Sequence, residues 1–236
     1  MIYISIDTET TGLNPETCQL LSFGAIVEDT EKKLPLDKIP KFHCAILRGE
    51  RDILQGELYA LNMNRDLIEK ITMYSTARDQ DEKNDLVHMT GMLFLREGDV
   101  VKAFFHFLID AGAITPEFDP SKSTGDCFAG SSMVEIVNGK TYPALTTKMK
   151  PFHLNVAGKN FHSGDQTYIE RLPRWKQVFR IRHRHIDPSV LFADWKNDDS
   201  MPNLGVCKER AKVDGIVTHD ALEDAWDVVQ LLRTQY

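Results

Sequence analysis

Cysteine is scarce. The 236 residues include four, Cys18, Cys44, Cys127 and Cys207, with no CxxC pair and no zinc-like spacing to histidine. This argues against a cysteine-built zinc centre and leaves small, buried or half-buried thiols. An excess of positive charge is also lacking: 28 Lys and Arg face 35 Asp and Glu, for a net charge of −7. A coat protein held by phosphate attraction alone would be basic. An acidic chain can handle nucleic acid where bound divalent cations and a local basic groove offset its carboxylates. No apolar run approaches the length of a membrane span. Met1–Asp7 has no basic region and meets an acid too early for a signal peptide. The expected setting is therefore reducing and cytoplasmic, with no membrane. Internal repeats and low-complexity tracts are missing too.

What is present reads as a packed globular protein: 42% hydrophobic and 27% charged residues, of a length that suits one α/β domain over residues 1–236. Ile2–Ile6, Leu20–Glu28 and Lys41–Leu47 read as three strands joined by short connections, an antiparallel start to a sheet. Leu58, Leu61, Ile68 and Ile71 fall near helical spacing, with Asn62, Asn64, Glu69 and Lys70 outside. Val100, Val101, Phe104, Phe105, Leu108 and Ala111 do the same, stopping near Gly112. Residues 115–150 read as an insertion of loop plus hairpin, with Asn138-Gly139 supplying the positive φ angles of a type I′ turn. Leu154–Ala157 and Arg180–Asp187 are expected as strands, Gln166–Leu172 and Ala221 to about Thr234 as helices.

Three places carry chemistry. Asp7 and Glu9 follow the first strand at i and i+2, hence on one face. Paired buried negative charge is costly unless a cation resolves it, and Gly12 in the following turn allows close approach of backbone to a ligand. The bland alternative is a solvated turn. In His219-Asp220-Ala221-Leu222-Glu223-Asp224, Asp220 and Glu223 form a capping-box pattern, which places His219 at N′ and Asp224 at N4, positions that meet in a hydrophobic staple. Here they are a histidine and a carboxylate; a plain acidic helix start is the alternative. Asp165 falls at or near the N-cap of the expected helix that follows it, where capping alone would explain it.

Taken together, the three resemble the motifs of the DEDD 3′→5′ exonucleases, of ribonuclease-H-like fold. Asp7 and Glu9, with Thr10-Thr11-Gly12-Leu13, match the first motif, Asp165 the second, and His219, Ala221 and Asp224 the third. Histidine there marks the histidine subclass. Asn160, Asp165, Pro173, Arg184, Asp187 and Ser189 look most like oligoribonuclease; the first motif is equally like RNase T and the proofreading subunit of bacterial replicative polymerase. Gly164 departs from those two relatives, which usually carry Phe there, and the insertion lies outside the common pattern.

The resemblance implies a mixed central sheet, antiparallel in its first three strands, flanked by helices. It implies two Mg²⁺ or Mn²⁺ ions on Asp7, Glu9, Asp165 and Asp224, with His219 as general base. It also implies single-stranded DNA or RNA 3′ ends as substrate and a possible homodimer. Thr10, Leu13, Asn160 and Phe161 are the expected substrate contacts. By the same resemblance Leu13 would wedge beside the terminal base, with an ordinary turn hydrophobe as the alternative. From the residues themselves, Phe161 and His162 could stack on a nucleotide, although a lone Phe after a strand is more often core, and one pair among Arg182, His183, Arg184 and His185 could face phosphates, with a solvated strand edge as the alternative. The competing readings are a catalytically silent nucleic-acid-binding scaffold on the same fold, an oligoribonuclease-type enzyme restricted to short RNA, and an unrelated phosphohydrolase of small nucleotides.

Overall fold

A computed structural model of the chain describes residues 1–48, 54–115, 134–145 and 150–236. Cys127 and most of the expected insertion lie outside the described residues.

One five-stranded sheet organises the molecule, in the order β4-β3-β2-β1-β8. Strand β1 (Ile2–Thr10) pairs antiparallel with β2 (Leu20–Asp29), and β2 antiparallel with β3 (Lys41–Leu47). Strand β4 (Leu93–Arg96) joins β3 in parallel, and β8 (Val156–Ala157) joins β1 in parallel. The sheet is thus mixed, with an antiparallel beginning, as expected. Strand β1 runs past Ile6 through Asp7 and Glu9, and its register shifts only between Glu9 and Thr10.

Alternation along β1 sorts the two layers. Ile4 and Ile6 face a core that includes Phe104 and Phe105 of α4 (Glu97–Asp110), Ile169 of α5 (Asp165–Ile169) and Trp175 of α6 (Trp175–Val178). Tyr3 faces the other way, into a second core with α8 (Leu204–Ala211) and α9 (Ala221–Arg233). The Ser5 hydroxyl on that side donates to the Ala225 carbonyl at 2.8 Å. Helix α9 is amphipathic, and its apolar stripe of Ala225, Val228, Val229 and Leu232 covers the sheet.

Several expectations need correction. The Leu154–Ala157 strand is two pieces, β7 (Phe152–Leu154) and β8, because the chain changes neighbours: β7 pairs in parallel with β9 (Phe179–Ile181), whereas β8 joins β1. Arg182–His185 are not strand; only an isolated bridge from Ile186 to Ala157 follows β9. The 58–71 periodicity is broken between α1 (Leu58–Met63) and α2 (Arg65–Thr76). Asn64, at the break, is buried rather than outside. Helices α3 (Gln80–Thr90), α6, α7 (Ser189–Phe192) and α8, and strand β4, have no counterpart in the sequence reading. The Asn-Gly hairpin does form: β5 (Val134–Val137) pairs with β6 (Lys140–Pro143), and Asn138 and Gly139 have φ of 50° and 75°.

Candidate active site

The site lies where β1 and β8 end side by side and α5 and α9 begin. On the α9 side of β1, Asp7 is paired across the sheet with Gly24, and Gly24 with His43. A Cβ on Gly24 would sit 2.3 Å from the Ala221 carbonyl group. The bare glycine is what lets the first turn of α9 descend onto the sheet next to Asp7. A glycine inside a strand pattern is a sign of such close approach, and it is the signal that could have singled out Gly24 in the sequence.

Asp220 caps α9 as expected, its Oδ1 accepting from the Leu222 and Glu223 amides at 3.0 and 3.1 Å. This fixes His219 at N′ and Asp224 at N4. His219 has a left-handed backbone, φ 55°, which aims its side chain back over the first turn. Ligand atoms of Glu9, His219 and Asp224 lie within 4.8 Å of one another. Glu9 and the helix start, some 210 residues apart in sequence, thus meet; Asp7 and Asp165 are not members of this group, although both charges bear on the site.

Asp165 reaches the same place from the other layer. It is the first residue of α5, not its cap; Gly164 holds that position without a side chain to bond. The Asp165 carboxylate instead accepts from the Thr8 amide at 2.9 Å and the Thr8 hydroxyl at 2.6 Å. Thr8, between Asp7 and Glu9 and on the opposite face of the strand, was passed over in the sequence because an isolated threonine carries no signal.

All four carboxylates are held above their ordinary range, by burial first in each case, and Asp7 and Glu9 also by the charges of other members of the set. Burial, then the charges of Asp165, Asp224 and Glu9, push Asp7 well above the usual carboxylate range. Burial and the Asp224 charge raise Glu9 to about 8, opposed by the polar Asn64 side chain nearby, whose Nδ2 donates to the Thr10 and Ala60 carbonyls at 3.2 Å. Asp224 rises to about 7, chiefly by burial and then the Asp227 charge. Asp165 rises to about 6 by burial, opposed by its bonds to Thr8. Asp224 Oδ1 is buried with no hydrogen-bond partner. A hard divalent cation would satisfy both conditions, neutralising the charge and filling the vacant coordination of Oδ1. Asp7, Glu9, Asp165 and Asp224 could hold such ions. His43 lies behind them, its Nε2 buried and 3.9 Å from Asp220 Oδ2; burial lowers its pKa, so it is neutral at pH 7.

The flanks differ in kind. Leu13 is 86% exposed at the tip of a loop held from several sides. The Gly12 carbonyl accepts from the hydroxyls of Tyr168 and Thr10, both at 2.7 Å, and the Leu13 amide donates to Glu57. Asn160, in a left-handed turn, donates its amide to Asp187 Oδ2 at 3.0 Å. Asp187 Oδ1 accepts from the Ser189 amide and hydroxyl. Phe161 is 1% exposed in the first core, so no ring face is open to a base. Packing decided this, since a strand-end Phe suits either role. His162 is exposed and stacks on His185 at 5.0 Å.

No family model matches the chain, and no curated protein matches it. Solved structures do. E. coli exonuclease I in complex with a dT13 oligonucleotide superposes over 99% of this chain with a TM-score of 0.50 and 12% identity. The chain spans about two fifths of that protein, 40%. S. pombe Pop2p, in its Mg²⁺ and Mn²⁺ bound form, aligns over 98% of this chain and 81% of its own at a TM-score of 0.49 and 10% identity. The architecture shared with exonuclease I is a ribonuclease-H-like mixed sheet of five strands flanked by helices.

Proposed function

We propose that the chain is a divalent-metal-dependent exonuclease of the histidine subclass, removing nucleotides from the 3′ ends of single-stranded nucleic acid. The observation that carries this reading is the convergence of Glu9, Asp224 and His219 within 4.8 Å, beside Asp7 and Asp165. Two ions of the Mg²⁺ or Mn²⁺ kind, when bound by the four carboxylates, would stabilise negative charge on the entering and leaving oxygens of the phosphodiester. His219 takes the proton of the attacking water; it is exposed, so it can pass that proton to solvent. Thr8 orients Asp165 and favours its ionised form, and Asn64, beside Glu9, donates to the Thr10 and Ala60 carbonyls and so ties the end of β1 to the α1–α2 break. The rigid loop presents Leu13 to a terminal base, with Thr10 beneath it. Arg182, His183 and Arg184 are exposed and have no acidic partner among the described residues. They offer phosphate contacts beside Asn160 in an otherwise acidic protein.

A second reading of His219 is favoured by the same convergence, which would equally suit a metal ligand. His219→Ala separates the two: a base is expected to cost about 10²–10⁴-fold in kcat with the Mg²⁺ half-saturation unchanged, whereas a ligand would lose both together. The function is tested by a time course on end-labelled single-stranded DNA, RNA and very short oligonucleotides with Mg²⁺, Mn²⁺ or chelator. Stepwise shortening from the 3′ end, abolished by chelator, is expected on at least one substrate. No cleavage of any would overturn the proposal in favour of a silent binding scaffold, although no carboxylate of the set is missing.

A further inference from the structure

Helix α9 carries a second buried acid, Asp227, one turn beyond Asp224. Its partner is Lys208 of α8, whose Nζ lies 2.5 Å from Asp227 Oδ2. Lys208 is only 4% exposed, rare for a lysine. A buried ion pair of this kind contributes little net stability, because desolvation offsets the attraction and apolar residues of similar volume do as well. Stability alone is therefore a poor account of it.

The same ammonium makes a second contact, donating to the Ile216 carbonyl at 3.4 Å. That carbonyl belongs to the segment leading into His219. The segment leaves α8 through left-handed Lys212, turns at Gly215 with φ 96°, and reaches left-handed His219. A Cβ on Gly215 would lie 3.4 Å from Lys208 Nζ, so the chain passes close against the ammonium there. Between the Val213 amide, bonded to the Lys208 carbonyl, and the Asp220 cap of α9, the Lys208–Ile216 bond is the one hydrogen bond found among the described residues.

We propose that Lys208 is a positioning residue for the active site: by joining Asp227 of α9 to the Ile216 carbonyl, it straps the 213–219 segment to the helix and sets His219 against Glu9 and Asp224. This deepens the nuclease reading and rests on it for its effect on rate. The charges of the pair also reach Asp224, where Asp227 raises and Lys208 lowers the carboxyl; a variant that removes both charges together takes away two opposed effects, so the loss of positioning should be felt chiefly while His219 is present.

The test uses the full chain and the double variant Lys208→Met/Asp227→Leu, which removes the strap without leaving a buried unpaired charge. It should melt close to the wild type. Its kcat on a 3′-end-labelled oligonucleotide should fall at least about tenfold, since small misplacement of a catalytic group is costly, with KM unchanged. Added to His219→Ala, the same pair should cost less than about twofold. Multiplicative losses in the combined variant, as from general weakening of the fold, would overturn the proposal. Backbone ¹⁵N order parameters over residues 213–219 provide a readout independent of catalysis. They should fall there in the double variant and not along α9; unchanged order parameters would overturn the strap, whether or not the protein cuts anything. Absence of cleavage by the wild type would instead overturn the nuclease reading, leaving the strap to be judged on the order parameters.

Discussion

Asp224 is the residue at which cost and use are clearest. Its carboxylate is buried, raised to about 7, and has one oxygen without a partner. In the metal-free protein this charge opposes Glu9, Asp7 and Asp227. Asp224→Asn should therefore raise the melting temperature of the metal-free protein at pH 8 while lowering kcat on the order of 10³-fold or more. Calorimetry in chelator beside a nuclease assay checks both. A lower melting temperature would mean that Asp224 is held for packing. Asp7, Glu9, His219 and Asp224 were readable as candidates because spacing puts each pair on one face, i and i+2 on a strand, N′ and N4 on a helix; what set each pair apart from its bland alternative was the joint occurrence of the motifs in order. Asn64 was not, because a polar residue in a helical stretch reads as solvent-facing until the break between α1 and α2 turns it inward.

At the scale of elements, the decisive contact is α9 against β2. Gly24 allows it, since a Cβ there would meet Ala221 and Leu222 backbone at 2.3–2.5 Å. Gly24→Ala should destabilise the protein by about 1–3 kcal/mol. Its effect on activity should exceed what that implies, because the relief available is to lift the α9 start, and with it His219 and Asp224, off Asp7. Denaturant unfolding paired with kcat at a temperature where the variant is fully folded measures this. Full activity in the folded variant would show that α9 can shift without consequence. The capping at Asp220 was expected from the sequence. The length of β1, the division into β7 and β8 and the irregular path of Arg182–His185 were not, because each depends on which strand lies alongside.

For the whole molecule, the raised carboxylates link stability to pH. A carboxyl whose folded pKa is raised stabilises the fold fully below its unfolded value, about 4, and that contribution is lost as pH rises through the folded value. Asp165 at about 6, Asp224 at about 7 and Glu9 at about 8 therefore predict falling stability from about pH 4 to 8 in chelator. His43, lowered by burial, acts the opposite way: it destabilises on acidification below its ordinary value of about 6.5. The unopposed window is pH 6.5–8. Across it, the melting temperature should drop by several degrees without metal, and Mg²⁺ should raise it by more at pH 8 than at pH 6.5, because binding favours the ionised set. Thermal melts at four pH values with and without Mg²⁺ decide this; a flat profile in chelator would show that the four charges are not in conflict.

The set of four carboxylates and a histidine thus divides in origin. The sequence by itself determined the acidic pair on β1, the His219–Asp224 pairing at a capped helix start, the antiparallel opening of the sheet and the hairpin turn, because each follows from local periodicity and capping chemistry. Only the tertiary structure decided that Asp165 enters from the opposite layer and is held by Thr8 rather than capping its helix. It also decided that Phe161 is core, that Gly24 makes room for α9, and that Lys208 reaches from α8 to the His219 segment. These are contacts between residues distant in the chain, and their geometry is set by how the layers pack on the sheet rather than by anything within a local window.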